Sequence, residues 1–243
     1  MPPRLHLDAA LHEGDDFELS ADAARHVQVL RLQPGDALTL FNGQGGEWDA
    51  AVTRMGGRQQ VSVRVGTHQL VSRELPVAVT LALGMPANER MDAMVEKATE
   101  LGAAAIQPLQ CARSVLKLVG ERAERRRAHW QAVAVAAAEQ SGRTCVPRIA
   151  PVRSLAEWLA EGEAAPAGAR HLLSLAEDAR PPAALAAGGD TLCLLSGPEG
   201  GLDALEEALA RQHGFTPLSL GPRVLRADTA PLAALAWLGL AKA

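Results

Sequence analysis

The stretch 191–230 constrains the fold more than any other, because it holds two short apolar runs that each break off into a loop no regular element could contain. The first run, Thr191 to Ser196, has a strand's length and stops at Gly197-Pro198-Glu199-Gly200-Gly201. A helix is expected next: Asp203 is placed as N-cap, Glu206 three residues on completes a capping box, and Leu202, Leu205 and Leu209 share one face until Gly214 ends it. The second run, Phe215 to Leu220, stops at Gly221-Pro222-Arg223, and another helix should start near Thr229 with Pro231 in its first turn. Two strand-to-helix turns are therefore expected side by side at the carboxyl edge of a parallel sheet, where open α/β sheets bind their ligands.

The content of these loops limits what could bind. Three glycines in the first loop let backbone approach a ligand without Cβ obstruction, and free N–H and C=O groups can read a flat heterocycle such as adenine. A phosphate cradle fits less well, because Glu199 would put a negative charge inside it and neither a GxxxxGK[ST] nor a GxGxxG string occurs. A neutral or cationic ligand carrying an adenine ring fits better than a nucleoside triphosphate.

The rest of the chain divides by pattern. Residues 1–72 alternate in short runs, Arg4 to Leu7, Ala37 to Phe41, Glu47 to Thr53 and Gln60 to Val65, separated by turn signals at Pro34-Gly35-Asp36, Asn42-Gly43 and Gly56-Gly57. That is the pattern of a small β-rich barrel, interrupted by one helix over Asp22 to Leu30 with His26 at the edge of its apolar face. From residue 73 onward, alanine-rich helices alternate with apolar strands. Val77 to Leu83 reads as a strand buried on both faces, followed by a helix capped by Asn88, apolar along Met91, Met94, Val95, Ala98 and Leu101, and stopped by Gly102. Ala103 to Leu109 is the next strand. It leads into Arg113 and Ser114, where a loop leaving a strand end suits contacts to RNA phosphates.

A long helix over Glu121 to Ser141 runs into the polar cluster Glu139-Gln140-Ser141-Gly142-Arg143. A short helix over Ser154 to Glu161, an Ala/Pro/Gly linker, a strand over Arg170 to Leu175 and a helix opening at Pro181-Pro182 follow, with Leu175 placed as a third wall of the ligand pocket. The last helix, Pro231 to Ala241, is apolar around most of its circumference, so a partner subunit is expected to cover it.

The formal net charge of −4 argues, taken alone, against a nucleic-acid partner, but residues 76–160 hold eleven Lys/Arg against eight Asp/Glu, and RNA responds to the local field. The Arg125-Arg126-Arg127 run reads equally well as a solvated helix face. Cys111, Cys145 and Cys193 are odd in number and far apart, which supports neither a disulfide framework nor a zinc site, and no metal is expected. Apolar stretches such as Val133 to Ala138 are too short to span a bilayer, and MPPRLHLDAA lacks a signal peptide's apolar segment; a cytoplasmic address is the expectation.

The string LLSGPEGG followed by LGPRVLRADTA resembles the paired cofactor-loop signatures of the RsmE family of SPOUT methyltransferases. HVQVLRLQPGD, ERMDAMVEKATELG, CARSV and AAAEQSGRTCVP agree in order and spacing, so the resemblance covers almost the whole chain. Two departures stand out: Asp228 where the family usually carries Glu, and Ser196 ahead of the GPEGG loop where a smaller or aliphatic residue is common.

The resemblance implies an α/β fold in which a SPOUT parallel sheet over residues 73–243 is tied in a deep trefoil knot, with a PUA-like RNA-binding domain over residues 1–72. It implies S-adenosylmethionine-dependent methylation of N3 of a uridine in small-subunit (16S) ribosomal RNA, by a homodimer. The adenosyl group is assigned to Leu195, Gly197, Pro198, Glu199, Gly200, Gly201, Leu220, Gly221, Leu225, Arg226 and Thr229, with Leu175 against the adenine. Arg4, His26 and Arg31 become candidate RNA contacts beside Arg113, Ser114 and Gln140. Arg226 and Arg143 are expected to orient the uridine and stabilise charge on its carbonyl oxygens, while Glu139 or a water takes the N3 proton. Two other readings stay open: a ribosome-assembly module that binds RNA without catalysis, and a methyltransferase of the same superfamily with another RNA target.

Overall fold

In the computed structural model, which describes residues 2–57, 60–162, 168–186 and 189–241, the chain forms two compact units. One comprises residues 1–74 with 138–146, the other residues 75–137 with 147–243.

The first unit holds β1 (Arg4–His6), β2 (Asp16–Glu18), α1 (Ala21–Val29), β3 (Ala37–Phe41), β4 (Glu47–Met55) and β5 (Val61–Gln69). They form a mixed five-stranded sheet of order β1-β3-β4-β5-β2, in which β1 pairs parallel to β3 and the other pairs are antiparallel. The end strands β1 and β2 are not paired with each other among the described residues. Alternation does its usual work in β5: Val61, Val63 and Val65 are buried beside Leu5, Leu38, Leu40 and Trp48, while the intervening side chains face outward. The three-residue β2 escaped the sequence reading, since three residues cannot display a period.

Helix α1 closes with the Leu32 N–H on the Val27 carbonyl (3.3 Å) and the Arg31 N–H on the Gln28 carbonyl (3.0 Å), a Schellman turn. The left-handed position in that turn normally belongs to glycine; here Arg31 occupies it, at φ 58°.

The second unit contains β6 (Ala78–Gly84), α2 (Asn88–Glu100), β7 (Ala105–Gln110), α3 (Gly120–Ser141, whose last turn belongs with the first unit), β8 (Arg148–Ile149), β9 (Arg153–Ser154), α4 (Leu155–Ala160), β10 (Ala169–Leu173), α5 (Ala183–Ala186), β11 (Thr191–Ser196), α6 (Ala204–Gln212), β12 (Thr216–Leu218) and α7 (Thr229–Ala241). All its strand pairs are parallel, in the order β12-β10-β11-β6-β7-β8 with β9 also on β7. Val79, Leu81, Ala82 and Leu83 of β6 are all buried, as a strand covered on both faces requires.

The structure corrects the sequence reading at several points. The two glycine-bearing turns do not follow adjacent strands: β10 lies between β11 and β12, pairing with both. Asn88 is not the cap of α2; Ala87 holds the N-cap position with no side-chain bond, and the side chain of Asn88 lies outside the described ones. The linker expected after α4 falls on residues 163–167, also outside them. By contrast, the Asp203–Glu206 capping box of α6 forms in full, with Glu206 N–H on Asp203 Oδ1 at 2.8 Å and Asp203 N–H on Glu206 Oε2 at 3.0 Å. Helix α7 buries Pro231, Ala234, Leu235 and Leu238 within its own unit, leaves Leu232, Ala233, Ala236 and Trp237 half-buried and Leu240 84% exposed, so its apolar circumference is only partly covered.

Candidate functional site

The carboxyl ends of β10, β11 and β12 meet around one cavity of about 610 Å³ in the second unit, a volume suited to a small ligand. Of the residues expected there, Gly197, Pro198, Glu199, Gly200 and Gly201 line it from the first turn, Leu220, Leu225 and Arg226 from the second, and Leu175 from the end of β10. Leu195, Gly221 and Thr229 do not line it. Leu195 is fully buried in β11, and Thr229 opens α7 with its hydroxyl on the Asp228 carboxylate at 3.3 Å. Gly221 acts on the backbone path instead: φ is 105°, and its N–H and C=O both bond the Ser219 hydroxyl at 3.2 Å, which closes a turn only glycine enters without strain.

Sequence reading missed several lining residues: Arg90 from α2, Ser174, Ser196, Glu207 from α6, Arg223 and Val224. Val224, 81% exposed, and Leu175, 60% exposed, are large apolar side chains at this cavity, a signal that becomes visible only with burial in hand.

The first loop is held in shape by close packing. At Gly84, the end of β6, a Cβ would stand 2.5 Å from Pro198 Cδ and 2.6 Å from Pro198 N; at Gly197 it would stand 2.7 Å from the Leu202 nitrogen. Both positions therefore admit glycine alone if the loop is to keep its path. Glu199 also has partners within the protein: its Oε1 accepts the Ala87 N–H at 3.1 Å and lies 3.5 Å from Arg90 Nη1, a negative charge at the start of α2 where the helix dipole favours it. Arg113, expected on RNA, donates from Nη1 to the Gly200 carbonyl at 2.8 Å. Ser114 is buried, its hydroxyl accepting the Cys111 N–H at 3.1 Å within a tight turn.

Neither buried cysteine of the second unit offers a thiolate. Burial, assisted by the Glu206 carboxylate, pushes the Cys111 thiol up to about 12, and burial alone does the same to Cys193, so neither is a nucleophile near neutral pH. Among the described residues no group of three His, Cys, Asp or Glu is placed to hold a metal ion, and no helix is long and apolar enough to cross a membrane. The Arg226 side chain is exposed at the cavity and has no ion-pair or side-chain hydrogen-bond partner among the described residues.

The remaining expected residues belong to the first unit, and Arg4, Glu139 and Arg143 are engaged there. Residues 138–146 are laced onto it: the Gly45 N–H bonds the Thr144 carbonyl, Val146 N–H the Gly43 carbonyl, and Thr144 Oγ1 the Val71 carbonyl. Arg143 is 3% exposed, and its guanidinium binds Glu74 through Nε at 2.9 Å and again through Nη2. Arg4, also buried, pairs with Glu47, donates to the Arg143 carbonyl at 3.0 Å and lies over the Phe41 ring at 5.0 Å. Arg73 joins it on Glu47 at 3.0 Å and donates to the Gly142 carbonyl at 2.8 Å.

Burial alone would raise the Glu47 carboxyl, but the hydrogen bonds from Arg73 and Arg4 outweigh it and hold it below the usual carboxylate range. Glu139 accepts the His6 N–H at 2.8 Å and lies 3.9 Å from His26 Nδ1; burial raises its carboxyl more than these contacts lower it. Neither Glu139 nor Arg143 lines the cavity that contains Arg226. Gln140, His26 and Arg31 remain solvent-facing, wholly or in part.

A model of the RNA methyltransferase domain matches residues 73–239. The chain belongs to the RNA methyltransferase family. The PUA domain of RNA methyltransferases matches residues 19–66, within the first unit. The ribosomal RNA small subunit methyltransferase E of Bacillus subtilis is 35% identical over 238 residues, covering 93% of this chain and 90% of its own. That of Neisseria gonorrhoeae, solved bound to S-adenosyl methionine, superposes with a TM-score of 0.91 at 33% identity, covering 98% of this chain and 97% of the other. A methyltransferase family member from Legionella pneumophila solved with S-adenosylmethionine bound reaches 0.90 at 35% identity, covering 99% and 98%. At this likeness over nearly the full length, the family's fold is the fold of this chain.

Proposed function

We propose that this protein transfers the methyl group of S-adenosylmethionine to N3 of a uridine in small-subunit ribosomal RNA. The observation that carries the reading is the cavity itself: strand ends and glycine-bearing turns line a space large enough for an adenosyl group, and Gly84 and Gly197 let the first turn keep its path. The relatives' names supply the RNA, and two of the solved relatives hold this cofactor.

The cofactor contributes an electrophilic methyl on a sulfonium. The chain's own residues do the rest. Gly197 to Gly201, Leu220, Leu225 and Leu175 hold the adenosyl group, and Arg226 faces the uridine, where its cation stabilises the negative charge left on the carbonyl oxygens as N3 loses its proton. In the balance of the reaction the N3–CH3 bond forms, the S–CH3 bond breaks and the proton passes to water. Arg143 and Glu139 then act as structural residues, holding 138–146 on the first unit, with Arg31 and His26 left to meet RNA. Arg31 keeps its left-handed backbone at a cost glycine would avoid, which fits a side chain retained for contact.

The test is methyl transfer from labelled cofactor to small-subunit RNA or particles, with the product mapped by mass spectrometry. A label at a base other than uridine, or on tRNA instead, would replace the substrate assignment; no transfer together with normal RNA binding would favour a ribosome-assembly module.

The partly covered face of α7, with Leu240 exposed, supports a homodimer, and the knot implied by the sequence resemblance is carried in the same reading. Light scattering behind gel filtration should return about twice the 25.5 kDa chain mass. A monomer at working concentration removes the dimer.

A further inference from the structure

The turn at Cys111 to Ser114 does not line the cavity, yet it is fastened by two bonds to the loop that does and by a third to the helix that follows that loop, all far apart in sequence. Arg113 Nη1 donates to the Gly200 carbonyl at 2.8 Å and, more weakly, to the Leu202 carbonyl at 3.4 Å. The Ala112 N–H donates to Glu206 Oε1 at 2.7 Å, while the other oxygen of Glu206 caps α6. The turn is itself stiff, since the Cys111 N–H bonds the Ser114 hydroxyl and the Ser114 N–H bonds the Cys111 carbonyl at 3.0 Å. Gly200 carries the second half of the contact: a Cβ there would meet Arg113 Cβ at 3.1 Å and Cδ at 3.3 Å, so the arginine stem lies flat against the loop.

A guanidinium that binds two carbonyls sets the tilt of their peptide planes, because each carbonyl is rigidly coupled to the following N–H. The Gly200–Gly201 plane is also pinned by the Gly201 N–H on the Pro198 carbonyl at 2.8 Å. We propose that Arg113 is a positioning residue for the methyl donor: bonded to Gly200 and Leu202 from outside the cavity, it holds 197–202 in the shape that receives the adenosyl group. The inference rests on the cofactor reading above, and it assigns Arg113 to the cofactor loop and not to RNA phosphate.

Three full-length proteins separate the roles: wild type, Arg113→Met, which keeps the stem and removes every donor, and Arg113→Lys, which restores one charged donor. Calorimetric titration with S-adenosylhomocysteine, without RNA, should give a Kd for Arg113→Met about tenfold above wild type, the scale of a lost charge-assisted hydrogen bond, and one within about threefold for Arg113→Lys. The melting temperature without ligand and the affinity for small-subunit RNA without cofactor should stay at wild-type values. A wild-type cofactor Kd for Arg113→Met overturns the proposal, and weakened RNA binding beside it makes Arg113 a phosphate contact. A loss that lysine does not restore, or one that comes with a lower melting temperature, also overturns it. Should wild type itself fail to bind the compound, the cofactor reading falls instead.

Discussion

Gly84→Ala is expected to weaken cofactor binding by roughly tenfold to a hundredfold while leaving the rest of the second unit folded. The new methyl would stand 2.5 Å from Pro198 Cδ, 2.6 Å from Pro198 N and 2.9 Å from the Gly197 carbonyl carbon. Two of these are backbone atoms, which cannot swing aside as the end of a long side chain can. The collision is with the loop's own path, so the loop must lift from the end of β6. Overpacking of this kind costs about 1–3 kcal/mol, and the displaced loop is the one that lines the cavity.

Gly84 has no positive φ to protect, so the effect isolates space from backbone strain. Gly57→Ala is the control: nothing lies within 4 Å of a Cβ there, and cofactor affinity should not change. Titration of both variants with S-adenosylhomocysteine decides the matter, and wild-type affinity for Gly84→Ala would mean the loop's seat on β6 has no bearing on the site.

Arg226→Ala should lower turnover by about a hundredfold to a thousandfold while cofactor affinity changes little, the range found when one preorganised donor to a developing oxyanion is lost. The arginine is exposed at the cavity and engaged by no partner among the described residues, so its removal leaves no stranded charge and should not disturb the fold. Its backbone carbonyl starts α7, accepting the N–H groups of Thr229 and Ala230 at 3.0 Å, and alanine preserves both bonds. Single-turnover transfer with RNA and cofactor saturating separates chemistry from binding. Loss of cofactor affinity in proportion to rate would make Arg226 a binding residue, and an unimpaired variant would remove it from the mechanism.

These two experiments also separate what was legible in the chain from what was not. The helix at Ala204–Gln212, its capping box and the strand at Thr191–Ser196 fall where the sequence places them, because caps, periodicity and strand ends are decided among residues a few positions apart. The residues Arg4 and Arg113 show the limit. Resemblance assigns Arg4 to RNA, and its place in a loop assigns Arg113 there; Arg4 is buried against Glu47, and Arg113, though exposed, is bonded to Gly200, 43 and 87 residues away along the chain. A charge announces that it needs a partner without saying which.

The sequence by itself determined a β-rich unit ahead of a parallel α/β unit, two glycine-bearing turns at strand ends, and the family to which those turns belong. Tertiary structure alone decided that β10 separates the two turns and adds its own end to the cavity, that Gly84 is the floor on which the first turn rests, and that Arg143 is interior. The physical reason is the same in each case. Strand order, steric clearance and ion-pair choice depend on which distant segments meet, and a local pattern carries no record of that meeting.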